Sequence, residues 1–339
     1  MSTPVKLPRP PFDAELEAAL GPTLDTSGTP PPPAAPTVKD AQIRRAGITA
    51  FRAPGIKAIR ENPALQFEER TVPGPHGDIP LTIVRPAAAA AGASIGPRPG
   101  IVFYHGGGMY LGDVFFGIDA EWVAGLGAVL VTVDYRLAPE NRDLVLVEDC
   151  YAALCWVGGN LAGLGIDPAR LMLAGASAGG GLAAGTALLA RDRGGPALCG
   201  LLLKCPMLDD RNNSVSCRQY VDSGTYDGRM NGFAWACVLG DRAGGEGVSP
   251  YVAPGRATDL SNLPETFVDV GSAEPFRDES VAFANSVWAA GGQAELHVWP
   301  GGAHGFSSFV PSADISKWCR ETTLAWMRRR LLTKVGAEM

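Results

Sequence analysis

The sequence predicts an α/β fold: a mostly parallel central sheet with helices on both faces and a helical cap. Three observations carry this. From Gly100 onward, short apolar runs at residues 101–104, 129–134, 170–174, 200–204, 266–270 and 295–299 alternate with longer helical stretches. Continuous apolar strands separated by helices bury both faces of a parallel sheet. The alternation is interrupted at residues 211–247, a polar, glycine-rich insertion. Together with helical segments ahead of the first strand, it is placed over the sheet as the cap.

The elements follow in order. Residues 13–20 have short helical character, and the proline-rich run 29–36 is extended, because proline fixes φ and donates no hydrogen bond. A second helix is expected from about 38 to 51. Residues 66–72 and 81–85 alternate as a hairpin around the turn-rich Pro73–Asp78 segment. An alanine-rich connection, 87–96, leads into the core. Helices are then expected at about 119–126, 147–161, 179–193, 278–290 and 315–332, with an aromatic helix near 233–239 inside the insertion. The reading divides the chain into an N-terminal cap segment, residues 1–60, and a catalytic domain, residues 61–339, interrupted by a second cap segment at about 208–247. No internal repeat is visible.

Composition narrows the function classes. A chain of 339 residues with 46% hydrophobic and 19% charged residues has the make-up of a globular enzyme. The net charge of −6 and scattered Lys and Arg argue against a nucleic-acid partner. Seven cysteines, an odd number without a CxxC pair, suggest a reducing compartment. Prolines break the N-terminus where a signal peptide would be continuously apolar, and no run reaches membrane-spanning length. A cytoplasmic chain without a membrane span is expected.

The chemistry gathers at strand ends. Gly175-Ala176-Ser177-Ala178-Gly179 follows the apolar run 171–174 and opens a run of small residues. A serine on a sharp turn between strand and helix is exposed to attack a carbonyl, and the flanking glycines permit close backbone approach. His105-Gly106-Gly107-Gly108-Met109 follows the strand 101–104. Three consecutive glycines carry a large entropic cost, which implies a required close approach or unusual φ. The amides of Gly106, Gly107 and Ala178 are candidates for an oxyanion hole, where losing one donor typically costs ~2.7–4 kcal/mol of transition-state stabilisation. His105 itself is expected to anchor the loop.

The base is sought late in the chain. His297 lies within an alternating strand, whereas His304 sits in a glycine-rich loop just past a strand end, where catalytic groups of parallel sheets collect. The acid should follow the strand 266–270. Glu274 is nearest that strand end and precedes a proline, with Asp278 and Glu279 as the other candidates. For these two the competing role is complementing a helix dipole. Tyr110, Tyr226, Phe233, Trp235 and Phe306 are expected to line an apolar substrate pocket; packing between cap and sheet is the alternative.

The order Ser…Glu…His with an upstream HGGG, together with Asp134-Tyr135-Arg136-Leu137-Ala138-Pro139-Glu140, Glu148-Asp149 and His304-Gly305-Phe306, resembles the hormone-sensitive-lipase-like esterases of the α/β-hydrolase superfamily. The resemblance runs from about residue 65 to the C-terminus. It implies the α/β-hydrolase fold and a cofactor-free carboxylic ester hydrolase acting on a small-molecule ester. Ser177 would be the nucleophile, His304 the base and Glu274 the orienting acid. Similar enzymes also suggest a homodimer through the edge strand near 295–299. The family usually has aspartate where Glu274 stands, and a proline-rich turn where this chain reads Asn141-Arg142-Asp143-Leu144. Lactone or amide cleavage, acyl transfer, and a non-catalytic ligand-binding protein on the same fold are the alternatives.

Overall fold

The computed structural model describes residues 7–87 and 96–332; the alanine-rich connection expected at 87–96 falls mainly outside them. In chain order the helices are α1 (Ala14–Leu20), α2 (Val38–Arg60), α3 (Ala120–Ala124), α4 (Leu144–Gly159), α5 (Leu161–Leu164), α6 (Ala178–Arg193), α7 (Val215–Gln219), α8 (Gly228–Leu239), α9 (Arg277–Ala289), α10 (Phe306–Phe309) and α11 (Asp314–Leu331). The strands are β1 (Leu65–Val72), β2 (Ile79–Pro86), β3 (Arg98–Tyr104), β4 (Val129–Val133), β5 (Ile166–Ala176), β6 (Gly200–Lys204), β7 (Thr266–Gly271) and β8 (Ala294–Trp299).

The eight strands form one sheet in the order β1-β2-β4-β3-β5-β6-β7-β8. The hairpin β1–β2 is antiparallel, β2 joins β4 antiparallel, and every pairing from β4 to β8 is parallel. Successive strand residues point to opposite faces, and the two faces pack differently. Val102, Tyr104, Leu173 and Leu203 face a large core shared with α4, α6 and α9. Ile101, Phe103, Met172 and Leu202 face a second core closed by Trp122 of α3 and by Trp326 and Met327 of α11. Strand order reverses at β3, so the crevice between the carboxyl ends of β3 and β5 is the place where ligands bind in open α/β sheets.

Helix α1 starts on Asp13, whose carboxylate accepts from the amides of Glu15 and Leu16. Helix α2 starts on a capping box between Thr37 and Asp40. It then runs to Arg60 rather than stopping near residue 51 as the sequence suggested, despite Pro54 inside it. Pro54 gives up the bond to the carbonyl of Ala50. The helix is anchored on both sides of the proline: Arg52 bonds the carbonyl of Phe115 at 3.0 Å and lies 4.3 Å from the centre of the Phe116 ring, and Arg60 lies 4.8 Å from the centre of the Phe115 ring and bonds Glu69 at 3.0 Å. No helix among the described residues is long and apolar enough to cross a membrane.

Candidate active site

Strand β5 ends in the turn that holds Ser177. The residue has φ 56° and ψ −121°, a left-handed backbone uncommon for serine. Its surroundings fix that conformation: its amide donates to Lys204 O at 2.8 Å, and its carbonyl accepts from Gly180, Gly181 and Met207. The glycines at 175 and 179 are sterically required. A Cβ on Gly179 would lie 2.0 Å from the carbonyl oxygen of Tyr104, and one on Gly175 would lie 2.0 Å from that of Gly179.

Ser177 Oγ lies 2.9 Å from His304 Nε2, and His304 Nδ1 lies 2.5 Å from Glu274 Oε2. The second carboxylate oxygen of Glu274 accepts from the Gly271 amide at 2.9 Å, which pins the acid to the end of β7. All three side chains are buried. The other two carboxylates are occupied elsewhere. Asp278 accepts from the Ser216 amide and Glu279 from the Leu208 amide. Burial opposes an imidazolium at His304, but the Cys205 sulfur and the Glu274 carboxylate favour it, and the net direction is well above the ordinary histidine value.

The glycine-rich loop after β3 closes the other side. Gly107 has φ 115° and Gly108 φ 61°, and a Cβ on Gly107 would meet the carbonyl of Leu111 at 2.1 Å. Among the described residues, no hydrogen bond leaves the amides of Gly106 and Gly107. Ala178, the first residue of α6, has an amide without an intrahelical partner. His105 lies beneath this loop, stacked on Tyr135 at 4.3 Å, with Nδ1 2.7 Å from Gly106 O. Burial pushes its imidazole down to about 4, so it stays neutral there. His297 is structural, stacked on Trp299 and 3.1 Å from Glu295.

A cavity of about 430 Å³ opens onto Ser177 and His304. Tyr110 and Tyr226 line it, the Tyr226 ring lying 5.1 Å from that of His304. Phe233, Trp235 and Phe306 do not. Phe233 stands behind Tyr110, edge-on at 5.1 Å, with the Arg44 guanidinium over its ring. Trp235 is buried in the main core, and Phe306 packs with Leu16, Val310 and Ile315. These three fill the space between layers because their backbone positions turn them away from the crevice. The sequence reading missed the wall supplied by α2: Ile48, Phe51, Arg52, Gly55 and Ile59. Their spacing, at three or four residues, is one stripe of a helix, a signal present in the sequence.

Charged pairs brace the site from outside. Arg136 pairs with fully buried Asp149, and Arg45 of α2 grips Glu140 through both carboxylate oxygens at 2.7 Å. The same guanidinium donates to the carbonyls of Tyr110 and Ala138 at 2.6 Å. Helix α2 is thereby tied directly to the glycine-rich loop.

A parallel sheet of this order, with a strand-turn-helix serine at its switch point, defines an α/β hydrolase. The family described as alpha/beta hydrolase fold matches residues 101–308. The carboxylesterase NlhH of Mycobacterium tuberculosis is 38% identical over 260 residues, covering 74% of this chain and 79% of that protein. The esterase LipI of the same species is 31% identical over 274 residues, covering 76% and 84%. Among solved structures, a bacterial heroin esterase superposes with a TM-score of 0.83 at 34% identity, covering 95% of this chain and 98% of the other. The hyperthermophilic esterase of Pyrobaculum calidifontis superposes with a TM-score of 0.78 at 30% identity, covering 94% and 98%. The chain belongs to the hormone-sensitive-lipase-like carboxylesterases of the α/β-hydrolase superfamily.

Proposed function

We propose that this carboxylesterase cleaves small to medium, partly apolar esters through an acyl-enzyme on Ser177. His304 takes the hydroxyl proton as Oγ attacks the ester carbonyl, then delivers it to the leaving alcohol. Glu274 holds the Nδ1 proton and stabilises the imidazolium. The amides of Gly106, Gly107 and Ala178 meet the oxygen on which negative charge develops. Water repeats the cycle on the acyl-enzyme. The observation that carries this reading is the continuous chain Ser177–His304–Glu274 at the floor of the cavity.

The same reading makes α1 and α2, within residues 1–60, and the segment of about 208–247 two parts of one cap. Its support is that α2 supplies one cavity wall while Thr225, Tyr226 and Met230 supply another. Pairing of two copies through β8 is supported by the free edge of that strand, which pairs with β7 alone among the described strands. A reducing, cytoplasmic setting is supported by seven unpaired thiols.

The test is Ser177→Ala assayed on a short-chain p-nitrophenyl ester, with labelling by a fluorophosphonate probe. Turnover is expected to fall by about 10⁴- to 10⁶-fold, and the label to vanish. Wild-type turnover in the variant would refute the assignment.

A further inference from the structure

Strand β6 ends in an unusual way for a buried strand: the apolar run Gly200-Leu201-Leu202-Leu203 closes on Lys204. In the sheet register Lys204 stands between Ala176 on β5 and Asp269 on β7, so the three side chains share one face. Its carbonyl receives the Ser177 amide at 2.8 Å, which places the lysine backbone directly against the nucleophile turn. Its side chain is partly buried, lines the cavity beside Ala176 and Ile118, and sets Nζ 5.8 Å from the centre of the Trp122 ring.

The ammonium has neighbours that keep it charged and none that neutralise it by contact. Burial opposes its charge, but Asp269, the nearby thiols and Asp119 outweigh this and hold Lys204 above the ordinary lysine value. Both carboxylates are engaged elsewhere. Asp269 accepts from Cys319 Sγ at 3.0 Å, and Asp119 caps α3 through the Glu121 amide at 3.0 Å. Among the described residues, Lys204 Nζ makes no hydrogen bond or ion pair, and it is not among the atoms sealed from solvent. The other cation on the wall, Arg52, is committed to Asp113 and to the Phe115 carbonyl. No described residue of the cavity wall carries a carboxylate. The cavity wall is therefore mainly apolar, and Lys204 is the lysine or arginine on it whose charged end touches no carboxylate among the described residues. A charge in such surroundings gains most from a ligand that brings the opposite sign.

We propose that Lys204 recognises a carboxylate on the substrate, so that the preferred substrates are esters bearing a second, free carboxylate, such as half esters of short dicarboxylic acids. This rests on the serine-hydrolase reading and narrows its substrate class. Lys204 binds and orients; it takes no part in the acyl transfer. A monoanionic carboxylate suits a single ammonium flanked by Asp269 and Asp119 better than a dianion does, because each added negative charge is repelled by both aspartates.

The experiment compares kcat/KM for monoethyl succinate, monoethyl glutarate and monoethyl adipate with that for ethyl butyrate and ethyl valerate, in wild type, Lys204→Met and Lys204→Arg. The wild type is expected to favour at least one half ester. Lys204→Met should lower the half-ester to neutral-ester ratio by about tenfold or more, mainly through KM, and Lys204→Arg should recover part of it. An unchanged ratio in Lys204→Met overturns the proposal. So does an equal loss on both ester classes with a lowered Tm, which would make Lys204 only a structural counter-ion to Asp269. Calorimetric titration of monoethyl glutarate, a monoanion, into Ser177→Ala, with and without Lys204→Met, needs no chemistry. Binding of this half ester that the second substitution abolishes supports the carboxylate site even if no ester were turned over by the wild type, and absence of its binding to Ser177→Ala counts against it.

Discussion

Glu274 shows how one side chain departs from a family habit without losing its geometry. The family usually places aspartate here; the additional methylene of glutamate is accommodated because one oxygen is tied to the Gly271 amide while the other reaches His304 Nδ1. In the proposed mechanism this carboxylate fixes the tautomer that leaves Nε2 free to accept from Ser177. Glu274→Gln keeps the size but presents no negative charge, and kcat is expected to fall by about 10³- to 10⁴-fold. The pH profile gives a second readout. Because the Cys205 sulfur and this carboxylate together hold the imidazole above its ordinary value, removing the carboxylate's charge lets His304 remain neutral to lower pH. The acid limb of kcat/KM for the residual activity should therefore move downward in pH; a limb that stays in place would argue that Glu274 does not act on His304. Sequence alone leaves Asp278 and Glu279 open because all three carboxylates follow the same strand. Only the fold shows that Ser216 and Leu208 amides consume the other two.

At the level of elements, the parts read most directly from sequence are those whose physics is local. Apolar runs between helices give the parallel strands, and glycines at 107, 175 and 179 mark places where a Cβ would strike backbone. The serine turn and the glycine-rich loop are legible for that reason. The cavity wall is not, because it depends on how α2 lies across the sheet, and that is set by residues distant in sequence. Phe233 and Trp235 look like pocket residues in a list of aromatics, yet α8 spends them on packing, while Ile48, Phe51 and Ile59 of α2 reach the cavity. Arg45 is the fastening for this arrangement. Its guanidinium joins α2 to Glu140 and to the carbonyls of Tyr110 and Ala138. Arg45→Ala should lower Tm by about 2–4 °C and reduce kcat/KM by about tenfold, because the loop carrying Gly106 and Gly107 loses its external brace. Glu140→Gln, which leaves both carbonyl contacts available to Arg45, should cost less on both measures. If Arg45→Ala changed neither Tm nor kcat/KM, α2 would be held by its apolar stripe alone.

For the whole molecule, two buried groups are expected to give stability a pH dependence opposite in sense to that of turnover in the proposed mechanism. Glu279 of α9 is buried against the chain after β6, and burial pushes its carboxyl well above the ordinary value near 4.5 despite the Leu208 amide. The folded chain keeps that proton when the unfolded chain has released it, so stability declines as pH rises from about 4.5 towards the folded value. His304 adds the same sign: its extra proton stabilises the fold fully below the ordinary histidine value of 6.5, and this is lost as pH climbs through the raised folded value. Each such proton contributes a slope of ~1.4 kcal/mol per pH unit over its window. Partly buried carboxylates held low by their partners, such as Asp40, Glu68 and Asp167, act only in the acid range. Their stabilisation is present above their unfolded values and fades as pH falls through the folded ones. Turnover, which in the proposed mechanism requires a neutral His304, rises with pH across the range in which stability declines. Glu279→Gln separates the two trends, because an amide oxygen can still accept from Leu208 while no proton is exchanged. Thermal melts at intervals from pH 5 to 8 should show the wild-type Tm falling with pH, and the variant's falling less and standing above wild type at pH 8. Parallel curves would mean that Glu279 is ionised in the folded protein and that its burial is compensated by contacts other than the Leu208 amide.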